Sequence, residues 1–162
     1  MKLRAFVMMT IVIAACGAGS SLEGSLSDET SLAFDAVQVQ HSATAVAVIY
    51  LRSLPKGGGN DTVLKVVANT TGLDLTNGGT INLTEPLNGG PAVRGAIARA
   101  VSTDTLRDFP PLVRGTLTLH GQPKAGVNVS GGFSVLFGQG GSIGAGRTAF
   151  GEFSAVVVEA GQ

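Results

Sequence analysis

Nine consecutive residues, Ala43 to Leu51 (ATAVAVIYL), constrain this chain more than any other stretch. The run is almost wholly apolar, rich in β-branched residues and too short for an ordinary helix. It reads as a central strand covered on both faces. Left open to solvent, such a run would be an aggregation hazard, so the fold must bury it.

The rest of the chain supplies strands to do so. Val113 to His120 alternates, with Leu117 and Leu119 on one face and Thr116, Thr118 and His120 on the other. In the next segment Val127, Val129, Phe133, Val135 and Phe137 share a face, and Phe153, Ala155 and Val157 repeat the pattern. Gly131-Gly132-Phe133-Ser134-Val135 and Gly151-Glu152-Phe153-Ser154-Ala155 look like two copies of one strand template, twenty residues apart. Together these segments predict a C-terminal meander of three antiparallel strands with one apolar and one wetter face.

Upstream, an imperfect alternation from Phe34 to Gln40 and the run Thr62 to Ala68 predict further strands. Leu73–Thr76 and Thr80–Thr84 flank Asn77-Gly78-Gly79, residues suited to a tight hairpin turn. Arg94–Ser102 suits either a strand or two helical turns, and the strand is preferred. The sum is an all-β fold, an antiparallel β-sandwich of about seven to nine strands over residues 32–162, with a small closed β-barrel as the alternative.

The opening residues belong to a different kind of element. Lys2 and Arg4 precede the apolar run Ala5–Ala15, and Ile13-Ala14-Ala15 leads into Cys16, the only cysteine. This stretch of eleven residues falls short of the roughly 20 that span a bilayer as a helix. A basic start, a short apolar core and a small-residue site make an export signal. This layout resembles the signal peptide and lipobox of bacterial lipoproteins. The resemblance implies a signal peptide over residues 1–15, a diacylglyceryl group on the Cys16 sulfur and, commonly, a third acyl chain on its amine. Two or three chains anchor stably where one is marginal. Gly17, which is not Asp, implies sorting to the outer membrane of a Gram-negative cell. Residues 16–31 are then expected to form the lipidated cysteine and a flexible tether, since Gly17–Ser31 is small, polar and acidic without sustained periodicity. The last fifty or so residues also resemble β-rich domains of uncharacterised bacterial lipoproteins that end in paired Gly-x-Phe strands, a likeness that implies no activity.

Loss of residues 1–15 would leave 147 residues carrying nine Lys and Arg against eleven Asp and Glu, a net charge of −2. The basic residues are scattered, which argues against a nucleic-acid footprint. With no Trp and a single Tyr, the composition also disfavours a sugar-stacking surface or the aromatic girdles of an outer-membrane barrel.

Candidate chemical motifs give way to plainer readings. Gly141-Ser142-Ile143-Gly144-Ala145-Gly146-Arg147-Thr148 has phosphate-loop spacing with Arg in place of Lys, but an alternating β-branched segment follows where a helix is required. Gly144-Ala145-Gly146 with Ala149 matches a relaxed dinucleotide fingerprint and fails for the same reason. Both are expected to be a glycine-rich hairpin loop. His41 is expected at a hairpin turn and His120 at a strand end; with Asp35 or Glu152 they would still lack the convergent set that zinc needs. Asp104 and Asp108 share a proline-flanked loop, and Asn60-Asp61 lacks the rest of a calcium loop.

The sequence therefore predicts an exported lipoprotein held to the membrane by acyl chains on Cys16, with no catalytic residue, cofactor or metal and no nucleic-acid partner. Its expected role is non-enzymatic, as a structural or accessory protein of the envelope with an envelope protein as a possible partner. The alternatives are a surface module binding a glycan, metal or lipid through loops such as Gly57–Asp61 and Gly138–Arg147, or an enzyme whose site assembles only in three dimensions.

Overall fold

The computed structural model describes residues 19–105 and 107–161. Its strands are β1 (Ser21–Glu23), β2 (Ala36–His41), β3 (Ala45–Ser53), β4 (Asn60–Asn69), β5 (Gly79–Asn82), β6 (Gly95–Ala100), β7 (Leu112–His120), β8 (Asn128–Phe137) and β9 (Thr148–Glu159), with short 3₁₀ turns at Ser25–Asp28 and Pro55–Gly57. The order across the sheet is β5-β7-β8-β9-β2-β3-β4-β6, and β1 lies beside β9. All pairings are antiparallel except β2 with β9, a short parallel contact from Val39↔Val157 to His41↔Glu159. The sheet is thus mixed rather than purely antiparallel.

The sheet rolls until its ends nearly meet. Just beyond β5, Leu83 donates its N–H to Gly115 O of β7 (2.9 Å) and accepts from Gly95 N of β6 (2.7 Å). Leu83 is fully buried at this seam. A Cβ on Gly95 would come within 2.5 Å of the Leu83 Cβ, and one on Gly115 within 3.0 Å. Two glycines in strands, a costly choice on propensity alone, here admit one leucine between two edges. The result has the two layers of a sandwich and the near-closure of a barrel.

The apolar run Ala43–Leu51 supplies most of β3. Val46, Ala47, Val48, Ile49 and Tyr50 are all buried, as expected of a strand covered on both faces. The C-terminal meander is present as β7-β8-β9, and Gly95–Ala100 is a strand, as preferred. The two Gly-x-Phe copies face each other. Gly131 is the register partner of Phe153, and Phe133 of Gly151. Each strand omits a side chain where the other inserts a ring. Tyr50 crosses the interior to this lock, with its ring 5.9 Å from that of Phe133 and its hydroxyl donating to Glu152 O at 3.0 Å.

Two expectations are corrected. The hairpin around Asn77-Gly78-Gly79 does not form: Leu73–Thr76 is not a strand, and β5 pairs with β7 instead, Ile81 opposite Leu117. Burial accompanies this pairing: Ile81 and Leu117 both lie in the core. The tether is also wrong from Gly19 onward. Ser21–Glu23 pairs with Phe150–Glu152 of β9, and Leu22 and Leu26 are buried in the main core. The lipidation residue Cys16, Gly17 and the sequence-predicted signal residues lie outside the described residues.

Candidate functional site

The segment from Gly19 to Thr30 is a strap along the edge of β9 that buries Leu22 and Leu26 in the core, and its fastening uses the motif that resembled a phosphate loop. Gly138–Arg147 connects β8 to β9, and the chain continues as a strand, so the helix that a nucleotide site needs is absent here. The loop nevertheless holds an anion, one from its own chain. Gly144 N–H donates to Glu29 Oε2 at 2.7 Å, Arg147 Nε to Glu29 Oε1 at 3.0 Å and Arg147 Nη1 to Asp28 Oδ2 at 2.8 Å. Ser25 and Thr148 add reciprocal bonds, Thr148 N–H to Ser25 Oγ (3.0 Å) and Ser25 N–H to Thr148 Oγ1 (3.3 Å). An amide in a glycine turn and a guanidinium suit any carboxylate or phosphate, and here Glu29 takes that place.

The Gly144 amide, and after it Arg147, hold the Glu29 carboxyl below its ordinary pKa of 4.5. A carboxyl depressed on folding stabilises the folded state above its unfolded pKa, and that contribution fades as pH falls through the lower folded value. Amide protection across residues 20–29, taken relative to the intrinsic exchange rate at each pH, should accordingly be high at neutral pH and fall below about pH 4.5. Glu29→Gln should show fast exchange already at neutral pH. Equal protection in the two proteins across the titration would refute the latch.

The second charged cluster is structural. Buried Asp61 accepts from Arg52 Nη2 (2.7 Å) and from Ser102 N–H (2.7 Å), which together hold its carboxyl below the ordinary value. Arg99, only 4% exposed, donates to Asp104 Oδ2 at 2.9 Å, Val63 O at 2.8 Å and Ser31 O at 3.3 Å. Asp61, Arg99, Ser102 and Asp104 border an open recess of about 470 Å³ that Arg107 also lines. Both pairs are committed to joining β3, β4 and β6 to the connection after β6. Asp104 and Asp108 have separate duties: Asp104 pairs with Arg99, whereas the Asp108 backbone exchanges bonds with Ser142 (2.9 and 3.4 Å).

The histidines close two strands at the same end of the sheet but border different clefts. His41 closes β2 and shares a notch with Asp74 and Lys124, but the Asp74 carboxylate accepts from Thr76 Oγ1 (2.7 Å) and Thr76 N–H (3.0 Å). His120 ends β7 and borders an open depression of about 700 Å³ on the outer face of β7-β8-β9, with Thr116, Thr118, Ser130, Ser134, Glu152 and Ser154. Among the described residues neither histidine makes an ion pair with a carboxylate, and no group of three His, Cys, Asp or Glu could hold a metal. Asp35 is not beside either histidine in these clefts; it accepts from Ser53 N–H. No helix among the described residues is long and apolar enough to cross a membrane.

Two spacings associated with serine nucleophiles are hidden in loops of low complexity, Gly140-Gly141-Ser142-Ile143-Gly144 and Ser53-Leu54-Pro55-Lys56. The first would need a strand-to-helix elbow, but it joins two antiparallel strands, and Ser142 Oγ is bonded to the Asp108 backbone. In the second, Ser53 ends β3 with its backbone N–H on Asp35. Tyr50 offers no acid near neutrality, because burial and then Glu152 push its phenol upward.

The fold and its clefts define a mixed, nearly closed all-β domain with an N-terminal strap. The chain has no significant match among protein-family models, curated proteins or solved structures.

Proposed function

We propose that the chain is an exported lipoprotein, anchored through acyl chains on Cys16, that serves a non-enzymatic structural or accessory role in the bacterial envelope, at the outer membrane. The observation that carries this reading is the sequence Lys2–Cys16: basic start, short apolar run, small residues and the only cysteine. The tight docking of the chain from Ser21 onward supports it, because a folded domain starting so soon after Cys16 suits a protein held close to its anchor. The commitment of the Arg52–Asp61 and Arg99–Asp104 pairs to internal contacts agrees with a scaffold role.

Replacement of Cys16 tests the anchor. Wild-type protein should sediment with membranes, whereas Cys16→Ser should pass to the soluble fraction with its fold intact by circular dichroism. Persistence of folded Cys16→Ser in the membrane would count against the lipid anchor. Crosslinking in cells followed by purification of the intact lipoprotein should recover one recurrent envelope protein.

The hydroxyl-lined depression beside His120 and Glu152 favours a second reading, a module that binds a polar ligand such as a glycan on the face of the sheet. A thermal shift with glycans, lost in Ser134→Leu, would support it.

A further inference from the structure

The strap fixes where the membrane anchor meets the domain. β1 runs antiparallel to β9 from Ser21↔Glu152 to Glu23↔Phe150. One residue upstream, Ser20 Oγ accepts the Ser154 N–H at 3.3 Å. From Val157 onward that same edge of β9 is occupied by β2. The upstream chain therefore joins the domain beside Ser154, just below the end of the sheet formed by the close of β9. Cys16 is three peptide steps from Gly19, which limits its reach from that point to about 10–11 Å.

Apolar residues are exposed at this place. Val156 and Val158 project outward from β9 at 45% and 37% exposure, and Val127, 42% exposed, accepts the Val157 N–H at the start of β8. Val156 lies two residues beyond Ser154, or about 7 Å along the strand. A stretch of sheet carrying outward valines, within a few residues of an acylated cysteine, has a bilayer surface as its nearest apolar neighbour. The connections at this end include Lys124, whose charge suits anionic headgroups. The opposite end, with the Val101–Pro111 connection and the Gly138–Arg147 loop, is about 20 Å further along β9.

We infer that the end of the domain formed by Val127, Val156 and Val158 rests on the headgroup layer of the membrane, so that the Val101–Pro111 and Gly138–Arg147 end points away from it. This orientation rests on the lipid-anchor reading proposed above. The chain from Ser20 onward is fastened to β9, so the domain is held against the surface in one orientation instead of swinging on a tether.

Site-directed labelling tests this in the full-length acylated protein. With the Cys16 sulfur acylated, Val156→Cys, Val158→Cys and the control Thr103→Cys each carry one free thiol for an environment-sensitive fluorophore. Thr103 is an exposed turn residue at the far end. In phosphatidylethanolamine–phosphatidylglycerol vesicles doped with headgroup spin-labelled lipid, labels at 156 and 158 should be quenched several-fold more than the label at 103. Amide exchange of the unlabelled protein should slow at residues 125–129 and 155–159 when vesicles are present. Intact mass separates the two ideas. If the acyl mass is present but label 103 is quenched as much as label 156, or none is quenched, the orientation is overturned. If Cys16 carries no acyl mass, the anchor reading fails and the orientation falls with it.

Discussion

Gly151→Ala is expected to destabilise the domain by about 3 kcal/mol, near the top of the usual range for overpacking a core. For a chain of this size that corresponds to a fall in Tm of about 6–12 °C. The reason is the absence of space on three sides. A Cβ at Gly151 would lie 2.5 Å from Ser21 O, 2.7 Å from Tyr50 Oη and 2.9 Å from Phe133 Cε1. The first is backbone of the strap, the second is a buried hydroxyl fixed on Glu152 O, and the third is the ring that Gly151 faces across the sheet. None can yield without disturbing a neighbour. The substitution should also loosen the strap, seen as faster amide exchange at residues 20–26. Gly132→Ala, in the middle of the partner motif but on the outer face, meets Gly151 O at 3.2 Å and then only the Glu152 Cγ at 3.8 Å. Its effect should stay within about 1 kcal/mol. Thermal melts of both variants in the Cys16→Ser form make the comparison, and equal effects would contradict the lock.

Phe153→Ala should cost about 3–5 kcal/mol, the range for removal of a fully buried ring. The ring is 1% exposed and lies opposite Gly131, which has no side chain to move into the vacated volume. The cavity therefore stays open and the cost falls in the upper part of that range. Chemical denaturation should show a lower midpoint with an unchanged slope, the sign of lost stability without a change in the surface exposed. A loss under about 1 kcal/mol would mean that the ring does not hold the two strands together.

These two residues also mark how far the sequence could be read. Apolar runs made β3 and β4 legible and alternation the β7-β8-β9 meander, because both signals are local and survive without knowledge of the neighbouring strands. The likeness of Gly131–Val135 to Gly151–Ala155 was also visible. Its meaning was not, since the pairing of each glycine with the other copy's phenylalanine is a matter of register between strands. The hairpin expected at Asn77-Gly78-Gly79 failed for a related reason: turn chemistry is local, but Ile81 is placed by the core it shares with Leu117. The strap was missed because Leu22 and Leu26 are isolated apolar residues in a polar stretch, too few to set a period. One signal for it was present. Asp28-Glu29 and the basic residue of a glycine-rich loop are complementary, although 118 residues separate Glu29 from Arg147. The phosphate-loop likeness leads into a strand instead of a helix, yet its amide and its arginine do hold an oxyanion.

The correction of the tether alters the proposed biology. A loose linker would leave the domain's orientation free, whereas the strap fastens it beside Ser154 through Ser20, within about 13–14 Å of Cys16. The strap's stability then sets how the outer surface of the domain is presented, and Glu29 and Gly151 control it from opposite ends. The pH dependence expected for Glu29 and the steric effect expected for Gly151 thus converge on one readout, amide exchange in residues 20–29.

The most direct test of the anchor on which the proposed function depends is the intact mass of the protein extracted from membranes with detergent. The result expected is a mature chain that begins at Cys16 and carries two or three acyl chains. A chain that begins elsewhere, or that begins at Cys16 with a free thiol and an unmodified amine, would contradict it.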